Sequence, residues 1–586
     1  MPTPHPRCRY QTVLINALAL LCLAFAATAQ QAPPTALIKD TDKRAVHARQ
    51  GMVVCAHPAA AAVGLRVLQN GGNAYDAGIA TEFALAVCYP IAGNIGGGGV
   101  LVFRDGNGAT GSLDYRERAP QAAMPTMYQD SSGNVHPTQS KYGSKAAAVP
   151  GTVAGMWELH KKKGTRPWDE LLQPAIDLAQ NGYVLTERDS RTLNRARADF
   201  LKYNRWQTPF VRADGRYWQR GDTLRQPALA RTLERIRDQG PDGFYAGPTA
   251  AAIVAEMEQG VEKGIITLSD LKNYKAVWRT PLQTRYRGYE VWGMPPPSSG
   301  GIALVQLLAM LEDRKPETYA HNSVPYVQLL VEAERRVYAD RATHLGDMDH
   351  YRVPLQRLAG KAYNKARFQN FSFDKATPSS AVAAGNPHLY ESTETTHYCV
   401  VDKYGNALSA TTTINGNYGS KTVVKDAGFF LNNEMDDFSA KPDTPNEYGL
   451  VGGAANAIAP GKRPLSSMTP TIVTQNGKLF LVLGSPGGSR IITTVLQGLF
   501  NVVHHGMDAQ RAVNASRFHH QWLPDEILIE TDTFEQEDQD ELARKGYTLR
   551  VHADKYFCRL EIIRILPDGR LQGGADPRGD DTALGY

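Results

Sequence analysis

Thr395 and Thr396 open the run Thr395-Thr396-His397-Tyr398-Cys399-Val400-Val401, and Thr413 and Asn415 end the run that answers it. β-Branched residues on both flanks of Asp402-Lys403-Tyr404-Gly405-Asn406 predict a strand from His397 to Val401, a tight turn, and a returning strand from Ala407 to Ile414. With the turn centred on Tyr404, Thr395 faces Thr413 to within a register step. Two hydroxyls side by side at a strand end make a poor core but a usable nucleophile with a hydroxyl partner. A threonine hydroxyl reacts only when a base removes its proton. An N-terminal threonine carries that base itself, because its α-amine, with a pKa of about 7.7–8.0, is partly neutral at physiological pH. The chemistry requires a cut between Glu394 and Thr395. Composition demands no such cut, and a Thr-Thr pair taken alone is an ordinary strand former.

A second hairpin is predicted from Pro470 to Thr474 and Lys478 to Leu483, across the turn signal Gln475-Asn476-Gly477. It runs into Gly484-Ser485-Pro486-Gly487-Gly488-Ser489-Arg490. A helix follows, with apolar residues at Ile491, Ile492, Val495, Leu496, Leu499, Phe500 and Val503. A strand, a glycine loop and a helix leave backbone N–H groups at a positive dipole end, where a developing oxyanion can be held. A plain strand-to-helix turn would carry the same glycines. The loop lacks the Gly-Lys-Ser/Thr ending of a phosphate-binding loop, and Ser485, next to Pro486, does not fit a nucleophile elbow.

These segments resemble the γ-glutamyltranspeptidase family. The resemblance is carried by Thr395-Thr396-His397-Tyr398, Asn432-Asn433-Glu434-Met435-Asp436-Asp437-Phe438, Tyr448-Gly449-Leu450-Val451-Gly452-Gly453, Arg463-Pro464-Leu465-Ser466-Ser467-Met468 and the 484–490 loop. Upstream, Asn94-Ile95-Gly96-Gly97-Gly98-Gly99, Asp114-Tyr115-Arg116-Glu117-Arg118-Ala119-Pro120 and Pro295-Pro296-Pro297-Ser298-Ser299-Gly300-Gly301 follow the family's order. The likeness covers nearly everything after residue 44.

The resemblance implies an α+β fold, a four-layer αββα sandwich of the N-terminal nucleophile hydrolase type built from both products of a self-cleaved precursor. It implies that Thr395 is the nucleophile, supported by Thr413, and that Gly487 and Gly488 supply the oxyanion-hole N–H groups. Arg116, Ser466 and Ser467 would hold the α-carboxylate of a γ-glutamyl group, and Asn415, Glu434 and Asp437 its α-ammonium. Residues 442–453 would cover the pocket as a lid closed by Tyr448. A zwitterionic head needs these opposite surfaces, and the planar fork of arginine suits a carboxylate. Outside that context the same residues read as a solvated acidic turn, a surface ion pair and turn serines. The chain departs from the family over His552-Ala553-Asp554-Lys555-Tyr556-Phe557-Cys558-Arg559, which does not resemble the usual glycine-containing segment. At Glu434, a glutamine would also accept from an ammonium, and glutamate adds charge.

The elements that must position these groups are legible upstream. Met52–Cys55, Val100–Phe103 and Gly111–Tyr115 read as strands. Residues 59–69 and 75–87 read as apolar helices, and 168–180, 301–312 and 325–345 as amphipathic helices of outer layers. The polar stretch 370–394 suits an exposed segment that swings away once cut. Arg7 and Arg9, the apolar run 13–27 and Ala27-Thr28-Ala29 read as a secretory signal cut after Ala29. The run falls short of about 18 apolar residues and is interrupted by Asn16, so it does not read as a membrane anchor. The expected organisation is a signal peptide (1–29), a large subunit (30–394) and a small subunit (395–586) that stay together in the periplasm or outside the cell.

Against 64 basic residues stand 59 acidic ones, a formal net charge of +5, which argues against nucleic acid as a partner. Cys8 and Cys22 leave with the signal. Cys55, Cys88, Cys399 and Cys558 are too sparse for a disulfide framework. His504-His505 and His519-His520 are adjacent pairs pointing apart, without zinc-site spacing, so neither a metal nor another cofactor is expected. The leading function is a secreted γ-glutamyl transferase and glutathione hydrolase passing its acyl group to water or to amino acid and peptide amines. A glutaryl-type β-lactam acylase of the same fold would need no ammonium pocket, and a non-catalytic binding protein would not need Thr395, Thr413 or the glycine loop.

Overall fold

The structure is a computed structural model that describes residues 43–383, 395–441, 444, 446, 450 and 452–586. The signal peptide, Glu394 and Tyr448 lie outside the described residues. Two seven-stranded antiparallel sheets form the centre. The first orders its strands Val46–Ala48, Leu571–Ala575, Glu561–Ile565, Lys478–Gly484, Thr471–Gln475, Tyr289–Gly293 and Leu282–Tyr286. The second orders Thr582–Gly585, Met52–Cys55, Thr396–Val401, Ala407–Thr413, Gly98–Arg104, Thr110–Asp114 and Val277–Arg279. Both sheets combine strands from before and after Thr395, so neither portion of the chain owns a sheet.

Strand alternation sorts the second sheet's side chains to two cores. Val53, Cys55, Leu101, Tyr398, Val400 and Leu408 point to one side, with the helices Pro58–Gln69, Ala74–Cys88 and Trp168–Asn181. Met52, Val54, Val100, Val102, Cys399 and Val401 point to the other side, toward Ile472, Leu481, Leu483 and Ile562 of the first sheet. That second core also takes in the helices Gly300–Leu311, Val324–His344 and Ile491–Val503. Cys55, Cys88 and Cys399 are buried as free thiols.

The expected hairpins and helices form within a residue or two of their predicted bounds. Gly300–Leu311, apolar and buried at every residue, differs in kind from the expected outer amphipathic layer, and so does Val324–His344, which is buried along almost its whole length. Its charges are matched inside: Glu332 pairs with Arg336 at 2.7 Å, and Arg335 pairs with Asp525. Pairing of this kind lets a charged helix go inside without the cost of bare buried charge. No helix among the described residues is long and apolar enough to cross a membrane.

The sheets meet tightly next to Thr395. Ser409 donates to the carbonyl of Leu483 at 3.0 Å and accepts from the N–H of Thr471 at 3.0 Å. His397 lies flat against Gly484, where a Cβ would come within 2.1 Å of the ring. Gly484→Ala therefore drives the sheets apart at this point and should cost about 1–3 kcal/mol, read as a lowered melting temperature of the uncut Thr395→Ala background.

Candidate active site

The hairpin register matches the expectation. Thr396 pairs with Thr412 and His397 with Thr411, so Thr395, the residue just before the strand, continues the ladder toward Thr413. On its other edge Thr413 pairs with Gly98. Asn94 pins this strand end from below. Its amide donates to the carbonyl of Thr413 at 2.9 Å, and its oxygen accepts from Gly97 N–H at 2.8 Å and the Thr152 hydroxyl at 2.9 Å. Beyond the strand the backbone turns through Asn415 at φ 69°. There the N–H of Asn415 donates to the Thr413 hydroxyl at 2.8 Å and its amide to the Asn433 carbonyl at 2.9 Å.

One small cavity is lined by Thr395, Thr413, Asn415, Arg116, Asp437, Ser466, Ser467 and Gly488, together with Arg341, Leu450 and Met468. At about 20 Å³ it has room for a water molecule or so. Glu434 and Gly487 adjoin it without lining it. Arg116 explains the closure. Its guanidinium is buried and pairs with Glu434 at 2.7 Å, with Glu117 at 3.4 Å and with Asp437. The two surfaces expected to grip opposite ends of a zwitterion thus grip each other.

The electrostatics of this cluster follow from burial. Desolvation pushes the Glu434 carboxyl well up, against the pull of Arg116, and pushes Glu117 up to about 7. Asp437 is likewise raised by burial and also accepts from the Asn446 amide at 3.1 Å. Arg341, from the buried helix, is pushed down to about 10 by burial and donates to the hydroxyls of Ser299 at 2.9 Å and Ser467 at 3.1 Å. Three carboxylates face one guanidinium, with a second close by.

The glycine loop approaches from the first sheet. Gly487 has φ 132° and Gly488 φ 59°, conformations an L-residue resists. A Cβ on Gly487 would lie 2.1 Å from the Cys558 sulfur. Among the described residues no hydrogen bond uses the N–H of Gly487 or Gly488. His397, although part of the Thr-Thr-His-Tyr run, is no base for Thr395. It is buried between the sheets, its Nδ1 sits 2.8 Å from the Thr411 hydroxyl, and burial pushes its pKa down to about 3.

The stretch of chain that builds this cavity matches a known family. The family model described as gamma-glutamyltranspeptidase matches residues 60–586. The chain belongs to the γ-glutamyltranspeptidase family. It is 46% identical to the glutathione hydrolase proenzyme of Escherichia coli over 563 residues, 96% of this chain and 96% of that protein. Among solved structures, the cephalosporin acylase of Bacillus halodurans superimposes with a TM-score of 0.81 at 26% identity, covering 94% of this chain and 99% of that one. The Helicobacter pylori gamma-glutamyltranspeptidase covers 60% of this chain and 99% of its own, with a TM-score of 0.55 at 42% identity.

Sequence reasoning missed two arginines at this family site. Arg341 was hidden in a helix read as an outer one, although three arginines among its apolar residues were a signal of internal pairing. Arg559 lies in the segment that departs from the family pattern, and its guanidinium donates to the carbonyl of Thr395 at 3.3 Å while facing Asp581 at 3.4 Å. Replacing Arg341 by Met should raise KM for γ-glutamyl donors about 10-fold or more, the loss of one charge-assisted hydrogen-bond set, with subunit processing on a denaturing gel unchanged.

Proposed function

We propose that this chain is the proenzyme of a glutathione hydrolase and γ-glutamyl transferase that matures by self-cleavage at Glu394–Thr395. In this reading the four-layer αββα arrangement of an N-terminal nucleophile hydrolase is held by a large subunit (30–394) and a small subunit (395–586), after a signal cut at Ala29 sends the chain to the periplasm or beyond. The observation that carries it is the convergence of Thr395, Thr413, Arg116, Asp437, Ser467 and the glycine loop on one buried point.

The γ-glutamyl head enters between the paired charges. Its α-carboxylate takes Arg116 and the hydroxyls of Ser466 and Ser467, and its α-ammonium takes Glu434, Asp437 and Asn415. The freed Thr395 α-amine accepts the hydroxyl proton as Oγ attacks the γ-carbonyl carbon. The oxyanion falls to the N–H groups of Gly487 and Gly488, and Thr413 holds the hydroxyl in line. As the tetrahedral species collapses, the C–N bond breaks and the departing amine takes the proton held by the Thr395 ammonium. The γ-glutamyl-Thr395 ester remains. Water or an acceptor amine then attacks the ester carbonyl, the α-amine takes the proton of the attacking group, and Thr395 Oγ recovers a proton as it leaves. Tyr448 would cover the bound acyl group.

Burial of Glu434, Asp437 and Asn415 beside Thr395 favours γ-glutamyl donors over the glutaryl donors of an acylase. Thr395→Ala should run as one band instead of two and release no aniline from a γ-glutamyl anilide. The wild-type protein should release it, and faster when a dipeptide acceptor is present. Two-band processing in Thr395→Ala would remove the nucleophile.

The base makes a separate prediction. Activity should rise with pH as the Thr395 ammonium loses its proton, with a midpoint of about 7–8. His397→Gln should leave that midpoint in place, because the imidazole is already neutral throughout the range, whatever the substitution does to stability.

A further inference from the structure

A second cavity, of about 520 Å³, opens on the other side of the glycine loop. Gly487 lines this cavity, and Gly488 lines the small one that holds Thr395. The loop therefore borders both. The volume lies within the range of small-molecule sites, about 300–1,000 Å³.

Its walls are strongly basic. Arg188, Arg191, Arg195, Lys421, Arg559 and Arg578 line it, against the carboxylates of Asp199 and Asp554. Arg578 is already neutralised from behind by Glu530 and by Asp576, the latter at 3.1 Å, and Arg559 faces Asp581 at 3.4 Å. Arg191 and Arg195 are different. They project four residues apart from one side of the helix Glu187–Tyr203, are exposed, and make no ion pair among the described residues. An isolated surface arginine would be unremarked. Two of them at the rim of a concave site, with further guanidinium groups in its wall, raise the local positive potential that an anion meets on entry.

Arg559 ties this basic cavity to the reaction. The guanidinium that lines the cavity also donates to the carbonyl of Thr395. In the γ-glutamyl transfer reading the glutamyl head lies on the Arg116 side of Thr395, which leaves the side facing Arg559 for the amine. The 520 Å³ cavity is the described space on that side.

We propose that this cavity is the subsite for the amine partner of the reaction and that it selects amines bearing more than one carboxylate, such as peptides with an acidic side chain. The inference rests on the γ-glutamyl transfer reading. The amine nitrogen would point toward the glycine loop, and the carboxylates toward Arg191, Arg195 and Lys421. Its chemistry adds no step to the transfer. It changes which acceptor is held long enough to attack the ester.

Acceptor kinetics with a γ-glutamyl anilide donor test this, using Gly-Glu and its neutral isostere Gly-Gln. The wild-type enzyme should show a KM about five-fold or more lower for Gly-Glu, shrinking as salt rises from about 50 to about 500 mM. Arg191→Glu/Arg195→Glu should abolish or invert that preference while leaving two-band processing and anilide hydrolysis without acceptor unchanged. The proposal is overturned if the wild-type enzyme treats the two acceptors alike or if the double variant keeps the preference. It is also overturned if the double variant remains a single uncut band, since the arginines would then serve the precursor. Absence of anilide release from the processed wild-type protein would instead overturn the transfer reading beneath it.

Discussion

A single buried guanidinium organises this site. Arg116 sits out of water between Glu434, Glu117 and Asp437 and donates to the carbonyl of Pro464 at 3.4 Å, so three of the segments that bear on the site come together around it. Its backbone is held too: its N–H donates to Asp114 at 3.0 Å and its carbonyl accepts from Tyr274 at 2.8 Å. Buried charge of this kind persists only when paired, and removing one partner costs far more than the pair contributes. The same constraint explains the near-empty cavity. The guanidinium of Arg116 and the carboxylates of Glu434 and Asp437 satisfy each other, so under the proposed function a ligand would replace those contacts rather than fill a void.

The second constraint is geometric. Thr395 lies at a strand end, and both sides of that strand are fixed by other parts of the chain: Ala407–Thr413 on one edge and Met52–Cys55 on the other. The strand ladder, the Asn94 amide on the Thr413 carbonyl and the Arg559 guanidinium on the Thr395 carbonyl fix the backbone that presents the hydroxyl. Because both sheets combine strands from before and after Thr395, cutting the chain at that point would leave the core's hydrogen bonds and packing in place.

Much of this was legible in the sequence, and for physical reasons. The hairpins at 396–413 and 471–484 declare themselves through β-branched flanks and Gly- or Asn-bearing turns, and the Tyr404-centred register gave the Thr395–Thr413 juxtaposition directly. The polar pocket was a different matter. Arg116, Ser466 and Asp437 are far apart in the chain and look like surface residues one at a time, so only the ordered set of motifs brought them together. Pairing itself was not legible: local patterning does not reveal that Arg116 and Glu434 meet at 2.7 Å. Helix Val324–His344 misled for a related reason, since its charges suggested a wet face and, apart from the pairs Glu332 forms within the helix, the partners of Arg335 and Arg341 lie on other elements. Arg559 was hidden because its segment follows no familiar pattern, and its position is set by the left-handed turn at Cys558, φ 56°.

The central claim is that the site recognises a zwitterion by exchanging internal ion pairs for ligand ones. Comparing kcat/KM for three anilides of equal chain length tests it most directly: γ-glutamyl, glutaryl (no α-ammonium) and 4-aminobutyryl (no α-carboxylate). Each lost charge leaves buried partners that the ligand has separated but not satisfied, so both truncated donors should fall by about 100-fold or more. Turnover of the glutaryl donor within a few-fold of the γ-glutamyl donor would contradict the account.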